Sequence, residues 1–164
     1  MIFDPEIYCS AAEVAELDGT EPLTLTGSGL WVGVLSRGVC LLDEFDRPGQ
    51  SGDILLGAAP LTLTPRTDCH LLGVRLAGRC TDAYLLQLGA PRWADGAACP
   101  GAAELLAQLH GVRTPAMAYA LLCAIDRADE TARPLPPLVA EAVAAIRQNY
   151  MALYGVEELS EQLG

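Results

Sequence analysis

The side chains that could carry chemistry in this chain are few and scattered. There are two histidines, His70 and His110, and six cysteines, Cys9, Cys40, Cys69, Cys80, Cys99 and Cys123. A metal site draws imidazole, thiolate and carboxylate ligands from closely spaced positions, because a short segment then presents two of them to one ion. Here the histidines are far apart and no two cysteines form a C-x-x-C pair. The cysteines read as small buried side chains in a reducing compartment rather than as zinc ligands or disulfide partners. Asp43, Glu44 and Asp46 form an acidic cluster at the end of an apolar run. Paired carboxylates can act as acid and base, but at a strand end running into a loop they read as a solvated edge. No G-x-S-x-G nucleophile elbow is present, nor a phosphate-cradling glycine loop before a helix. The pattern assigns no catalytic residue, no metal ligand set and no cofactor.

The elements that would position these groups fall into two halves. From Pro22 to Ala77 the chain reads as short strands. Leu23-Thr24-Leu25-Thr26 and Leu61-Thr62-Leu63-Thr64 alternate apolar and polar residues. Gly29 to Leu35 and Val39 to Phe45 are apolar runs separated by the turn Ser36-Arg37-Gly38, and Gly27-Ser28-Gly29 reads as another turn. Arg47 to Gly52 is a loop, Asp53 to Leu56 a strand, and His70 to Ala77 closes the series. Close spacing with Gly and Pro punctuation predicts a sandwich or barrel. From Thr81 the period becomes helical. Thr81-Asp82 would cap a helix through Leu88, Trp93 would lie in a short extended return, and a helix would run from Ala102 to Leu109. Thr114-Pro115 would start another, since Thr caps and Pro suits the first helical position. Arg133 to Pro137, with three prolines, reads as a linker. Beyond it Val139, Ala142, Val143, Ile146 and Tyr150 share one helical face. A short helix would follow Gly155, with Glu157 and Glu158 in its first turn.

Composition bounds the function. The chain has 164 residues, 51% of them hydrophobic, enough for one compact domain with a small appendage. The net charge is −11 and every basic residue is arginine. Such a surface repels a phosphate backbone. The first ten residues lack the pattern of a signal peptide, and no apolar run is long enough to cross a bilayer. The expected setting is cytoplasmic, with no membrane partner.

The C-terminal run, Leu138 to Tyr150 and then Val156-Glu157-Glu158-Leu159-Ser160-Glu161-Gln162-Leu163-Gly164, resembles the opening of the AraC family DNA-binding domain. Ile146, Asn149, Tyr150, Val156, Glu157, Glu158, Leu159, Leu163 and Gly164 match its pattern. Ser160 stands where Ala is usual, and Gly155 where Ser or Thr would cap. Pro48-Gly49, Gly52-Asp53-Ile54-Leu55-Leu56, Pro60 and Val74-Arg75-Leu76-Ala77-Gly78 resemble the family's cupin-like sensor domain. The resemblance implies an α+β chain: a cupin-like, jelly-roll β-barrel for effector binding and dimerisation over residues 1–132, a linker at 133–137, and a partial helix-turn-helix domain at 138–164. The matched helix is the bracing one. The recognition helix that reads bases in the major groove would follow Gly164, and DNA would be contacted there.

In this reading the chain is the ligand-sensing and dimerisation part of an AraC-like transcription regulator and not an enzyme. An unknown small-molecule effector would change how the DNA-binding domain is presented. Leu72, Val74 and Leu76 share a face with His70, so His70 is expected inside the barrel, beside a ligand or as a satisfied core histidine. Trp31 lies on a strand apolar on both faces, so its direction is open. Tyr8 lies in an N-terminal arm that folds over the pocket in some family members. Tyr8, Trp31 and His70 are the candidate ligand-binding residues. Leu105, Leu109, Met117, Leu121, Leu122 and Ile125 can pack against the barrel; the resemblance implies a homodimer interface made by antiparallel helices, and both can hold, since two faces are available. The alternatives are a stand-alone, metal-dependent cupin-like enzyme and a pure dimerisation module.

Overall fold

The structure, a computed structural model, describes residues 3–132 apart from Glu44 and Asp46. The chain divides into two compact units, Met1–Asp129 and Glu130–Gly164. The expected linker at 133–137 and the helix-turn-helix pattern at 138–164 lie outside the described residues.

The first unit is α+β, with two antiparallel sheets and three helices. The strands are β1 (Ser10–Gly19), β2 (Leu23–Leu25), β3 (Leu30–Arg37), β4 (Cys40–Leu42), β5 (Ile54–Ala58), β6 (Leu61–Pro65), β7 (Cys69–Ala77) and β8 (Arg92–Ala94). The larger sheet has the order β1-β7-β3-β5-β8 and the smaller one β2-β6-β4. The helices are α1 (Arg79–Leu88), α2 (Ala102–Gly111) and α3 (Pro115–Ala132).

Two apolar layers hold this arrangement. Successive residues of a strand point to opposite faces, and β3, β5 and β7 are apolar on both. Trp31, Leu35, Leu55 and Leu71 face the smaller sheet and pack with Leu25, Leu42, Leu61 and Leu63. Leu30, Val32, Ile54, Leu56, Val74 and Leu76 point the other way, against Leu88, Leu106, Leu109, Leu121 and Ile125 of the helices. Gly33 pairs with Gly73 across β3 and β7. A Cβ at position 33 would press on the Leu71 side chain at 3.1 Å, whereas one at position 73 would meet the Trp31 ring at an ordinary contact distance of 3.6 Å. The Trp31 Nε1–H donates to the Thr26 carbonyl at 2.9 Å, which satisfies a buried donor.

Several boundaries differ from expectation for identifiable reasons. β1 is the longest strand of the unit, yet Ser10-Ala11-Ala12-Glu13-Val14-Ala15-Glu16 has helix-favouring residues and no clean alternation. A register shift between Ala11 and Glu13 breaks its period, and pairing along β7 supplies what local propensity does not. α1 starts at Arg79, two residues before the predicted Thr81 cap. Gly78 takes the cap position at φ 123°, where a Cβ would meet the Tyr8 carbonyl 2.5 Å away, so a side chain is excluded there. Thr81 is buried inside α1. The α3 start is as predicted: Thr114 Oγ1 accepts from the Met117 N–H at 3.2 Å and Pro115 is the first helical residue.

The six side chains with a predicted role at a homodimer interface all pack within the chain. Leu109, Leu121, Leu122 and Ile125 are buried in the sheet–helix layer, and Leu105 and Met117 pack against it half-buried. Helical period brings them to the sheet; the outward faces are Ala103, Glu104, Ala107 and Gln108 of α2 and Ala116, Tyr119, Ala120, Cys123 and Asp126 of α3. Among the described residues no helix is long and apolar enough to cross a membrane.

Since both layers are closely packed, truncation in either should be costly. Leu71→Ala, between the sheets, and Leu106→Ala, beneath the helices, should each lower stability by about 2–5 kcal/mol, read from urea denaturation midpoints. A loss under about 1 kcal/mol for Leu106→Ala would mean the helical layer is not part of the cooperative core.

Candidate functional site

The space between the sheets is filled by side chains, but its rim is not. A cavity of about 600 Å³ is lined by Leu42, Asp43, Phe45, Pro60, Thr62, Ala90 and Pro91. This lies within the range of small-molecule sites, roughly 300–1,000 Å³. Its lining comes from the end of β4, the β5–β6 turn and the segment between α1 and β8. Asp43 sits at φ 37°, a left-handed conformation that Asp tolerates better than most residues. Its N–H donates to the Thr62 carbonyl at 3.0 Å, and its Oδ1 accepts from the Thr62 N–H at 2.8 Å. The carboxylate is thereby fixed at an apolar rim, where it can accept a hydrogen bond from a bound molecule. Of the predicted acidic cluster, Asp43 is exposed and serves this turn, while Glu44 and Asp46 lie outside the described residues.

A second loop closes beside β8. Asp53 is 8% exposed and its Oδ2 accepts from the Gln50 N–H at 2.9 Å and from Arg47 Nη1 at 3.2 Å. Arg47 Nη2 also donates to the Trp93 carbonyl at 3.0 Å. A Cβ at Gly49 would fall inside the Trp93 indole. Trp93 Nε1 is buried and has no hydrogen-bond partner among the described residues.

The predicted ligand-binding residues are not brought together. Trp31 is in the inter-sheet layer, 1% exposed. Tyr8 is 42% exposed at the N-terminal 3₁₀ turn, stacked on Phe3 with centroids 5.6 Å apart. His70 is not inside the sheets. Its face of β7 is buried, as Leu72, Val74 and Leu76 predict, but against the helices; Cys69 and Leu71 face the smaller sheet instead. A strand buried on both faces gives no sign of which one is the interior.

His70 lies beyond the end of the helical cover. Its Nδ1 is 2.7 Å from Ser36 Oγ and its Nε2 2.9 Å from Glu16 Oε1. This serine, histidine and carboxylate succession has the order of a nucleophile relay, but Ser36 Oγ donates to the His70 carbonyl at 3.1 Å and neither residue lines a cavity described for the chain. It is a cross-strand polar clasp, continued by Arg37, which pairs with Asp18 at 2.8 Å and Asp68 at 3.1 Å. The His110 Nε2–H donates to the Gly73 carbonyl at 3.0 Å and ties the end of α2 to β7.

The six cysteines are free thiols, and Cys9, Cys40, Cys69 and Cys99 are buried. Among the described residues no three His, Cys, Asp or Glu side chains gather as a metal site. Burial pushes the Cys40 thiol up to about 12, helped by neighbouring Cys69. Burial also raises Cys9 and Cys99. A thiol held protonated is a poor nucleophile and a poor ligand. Sequence reasoning placed neither the rim cavity nor the loop closure, because both depend on which turns meet across the two sheets. No protein-family model matches the chain, and no curated protein matches it.

Thiol labelling should separate the cysteines. With a disulfide reagent near pH 8, Cys123 should react fast and Cys40 only as the protein unfolds. Cys80, half-buried, should react at an intermediate rate, and a Cys123→Ser variant whose fast phase lost no amplitude would contradict the exposure pattern.

Proposed function

We propose that this chain is the ligand-sensing and dimerisation part of an AraC-like DNA-binding transcription regulator, its two sheets forming a cupin-like jelly roll. The observation that carries the reading is the pairing of two features. One is a small-molecule-sized cavity with the fixed Asp43 carboxylate at the rim of a two-sheet body. The other is the Ile146, Asn149, Tyr150, Val156, Glu157, Glu158, Leu159 pattern that follows α3 in the sequence. An apolar molecule with one donor group for Asp43 suits the cavity. Binding would tie the β5–β6 turn to the α1–β8 segment and favour the bound conformation by mass action. The bracing-helix pattern reads no bases by itself, and with a charge of −11 these residues should bind DNA weakly.

A metal-dependent enzyme is the competing reading, and stoichiometric iron, zinc or manganese in the purified protein would favour it. For the regulator, a thermal-shift screen of metabolite classes should find a stabilising ligand. Thr62→Trp, which fills the cavity, should abolish that shift while leaving the unliganded melting temperature nearly unchanged. A ligand shift undiminished in Thr62→Trp would rule this cavity out as the effector site.

The reading includes a homodimer. The buried leucines of α2 and α3 are not available to it, which leaves the outward faces of the two helices; that of α2 presents Ala103 and Ala107, small and exposed, to a partner helix. Ala107→Arg should convert a dimer to a monomer in sedimentation at micromolar protein. A dimer unaffected by that change would place the interface elsewhere.

A further inference from the structure

A second hollow lies on the helical side of the larger sheet, between the N-terminal turn, α1 and α3. It measures about 510 Å³, and its lining includes Phe3, Tyr8, Cys80, Pro115, Ala116 and Tyr119. Among the described residues none that lines it is charged, although the chain carries a net charge of −11. Phe3, Tyr8 and Tyr119 are 71%, 42% and 52% exposed, so much of the unit's exposed aromatic surface is gathered at one place. Phe3 and Tyr8 form a stacked pair at an interplanar angle of 21°, and the Arg79 guanidinium lies 6.0 Å over the Tyr8 ring. These contacts hold the wall in place with an aromatic ring presented to the hollow.

At Cys80 and Tyr119 the hollow meets a second one of about 360 Å³, whose lining adds Gln87, Cys123 and Asp126. The two share those residues, so one groove has an apolar aromatic end and a polar end. A hydrogen bond with Cys123, and the nearby Cys80 and Cys9 thiols, raise the Tyr119 pKa above its ordinary value. Its hydroxyl is protonated at physiological pH, as an ordinary tyrosine's is, and can exchange its Cys123 contact for one with a bound molecule.

We infer that this groove is a ligand site, separate from the rim cavity, for a small uncharged planar aromatic molecule bearing a hydroxyl. The ring would lie among Phe3, Tyr8, Pro115 and Tyr119, and the hydroxyl would point toward Asp126. Each lining feature selects for this class. The volume suits a two-ring molecule and is too small for a helix. The uncharged aromatic end favours an apolar ring, and the Asp126 carboxylate at the polar end disfavours an anion. The exposed carboxylate of Asp126 accepts a hydrogen bond at the polar end. A bound molecule would join the N-terminal turn to α1 and α3. The inference does not depend on the regulator reading, because it rests on residues the rim cavity does not use.

The test uses 2-naphthol as probe and the Cys80 thiol, on the groove wall, as reporter. Alkylation by iodoacetamide is followed at Cys80 by peptide mass mapping of the whole chain. Naphthol at ten times its dissociation constant should slow Cys80 alkylation about tenfold. Ala116→Trp, which fills the aromatic end, should abolish the protection, and Tyr119→Leu should weaken it. Thr62→Trp, in the other cavity, should leave it intact. Melting temperatures of the three variants should match that of the parent chain, and a variant that fails to fold is replaced by Pro115→Trp at the same wall. Absence of protection in the parent chain would overturn the inference. So would protection that survives both Ala116→Trp and Tyr119→Leu. Protection that rises with protein concentration alone, together with dimer formation, would assign the groove to a second copy of the chain and overturn it as well.

Discussion

The burial of β3, β5 and β7 on both faces is the constraint on which the rest of the unit depends. A sheet with one wet face needs one partner layer; this one needs two. The smaller sheet covers one face through Leu25, Leu42, Leu61 and Leu63, and the three helices cover the other through Leu106, Leu109, Leu121 and Ile125. Neither cover is optional, because removing either would expose a row of Leu, Ile and Val to water. Two cavities lie at the margins of these covers. The rim cavity opens beside the smaller sheet, and the aromatic groove lies where the N-terminal turn meets α1 and α3.

The sequence makes the order of elements legible and leaves their facing hidden. Thr114-Pro115 marks the start of α3 because capping is local chemistry, and it is found in place. Leu61 and Leu63 alternate with threonines and lie on a strand with one inward face, as the period requires. His70 shows the limit. Apart from His70 itself, the even positions of β7 are apolar, and so are most odd ones, so periodicity cannot say which side meets the smaller sheet. The histidine therefore lies at the edge of the helix-covered face rather than within the sheets. β1 was hidden for a different reason: its residues favour helix, and only its long pairing with β7 makes it a strand.

The candidate sites were less legible still. Trp31 is buried between the sheets and Tyr8 is exposed at the N-terminal turn. Both are aromatic residues near apolar sequence, and nothing local distinguishes the one that fills a core from the one that walls a groove. The rim cavity is built from Leu42, Asp43, Pro60, Thr62 and Pro91, none conspicuous by type. What makes Asp43 notable is a backbone conformation and two hydrogen bonds to Thr62, which are properties of a turn meeting a strand. The leucines of α2 and α3 carry the opposite lesson. An apolar helical stripe is consistent with either an interface or a core, and here the chain's own sheet takes it.

The chain has two tryptophans, and both, Trp31 and Trp93, belong to the inter-sheet layer. Tyr8, Tyr84 and Tyr119 stand on the helical side. The two layers consequently carry different chromophores. Tryptophan emission follows the packing between the sheets, whereas the environment of these tyrosines follows the helical cover. An event that loosens the sheets would register in tryptophan emission, whereas one confined to the helical cover would leave both tryptophans in place, so the packing between the sheets can be followed without any label.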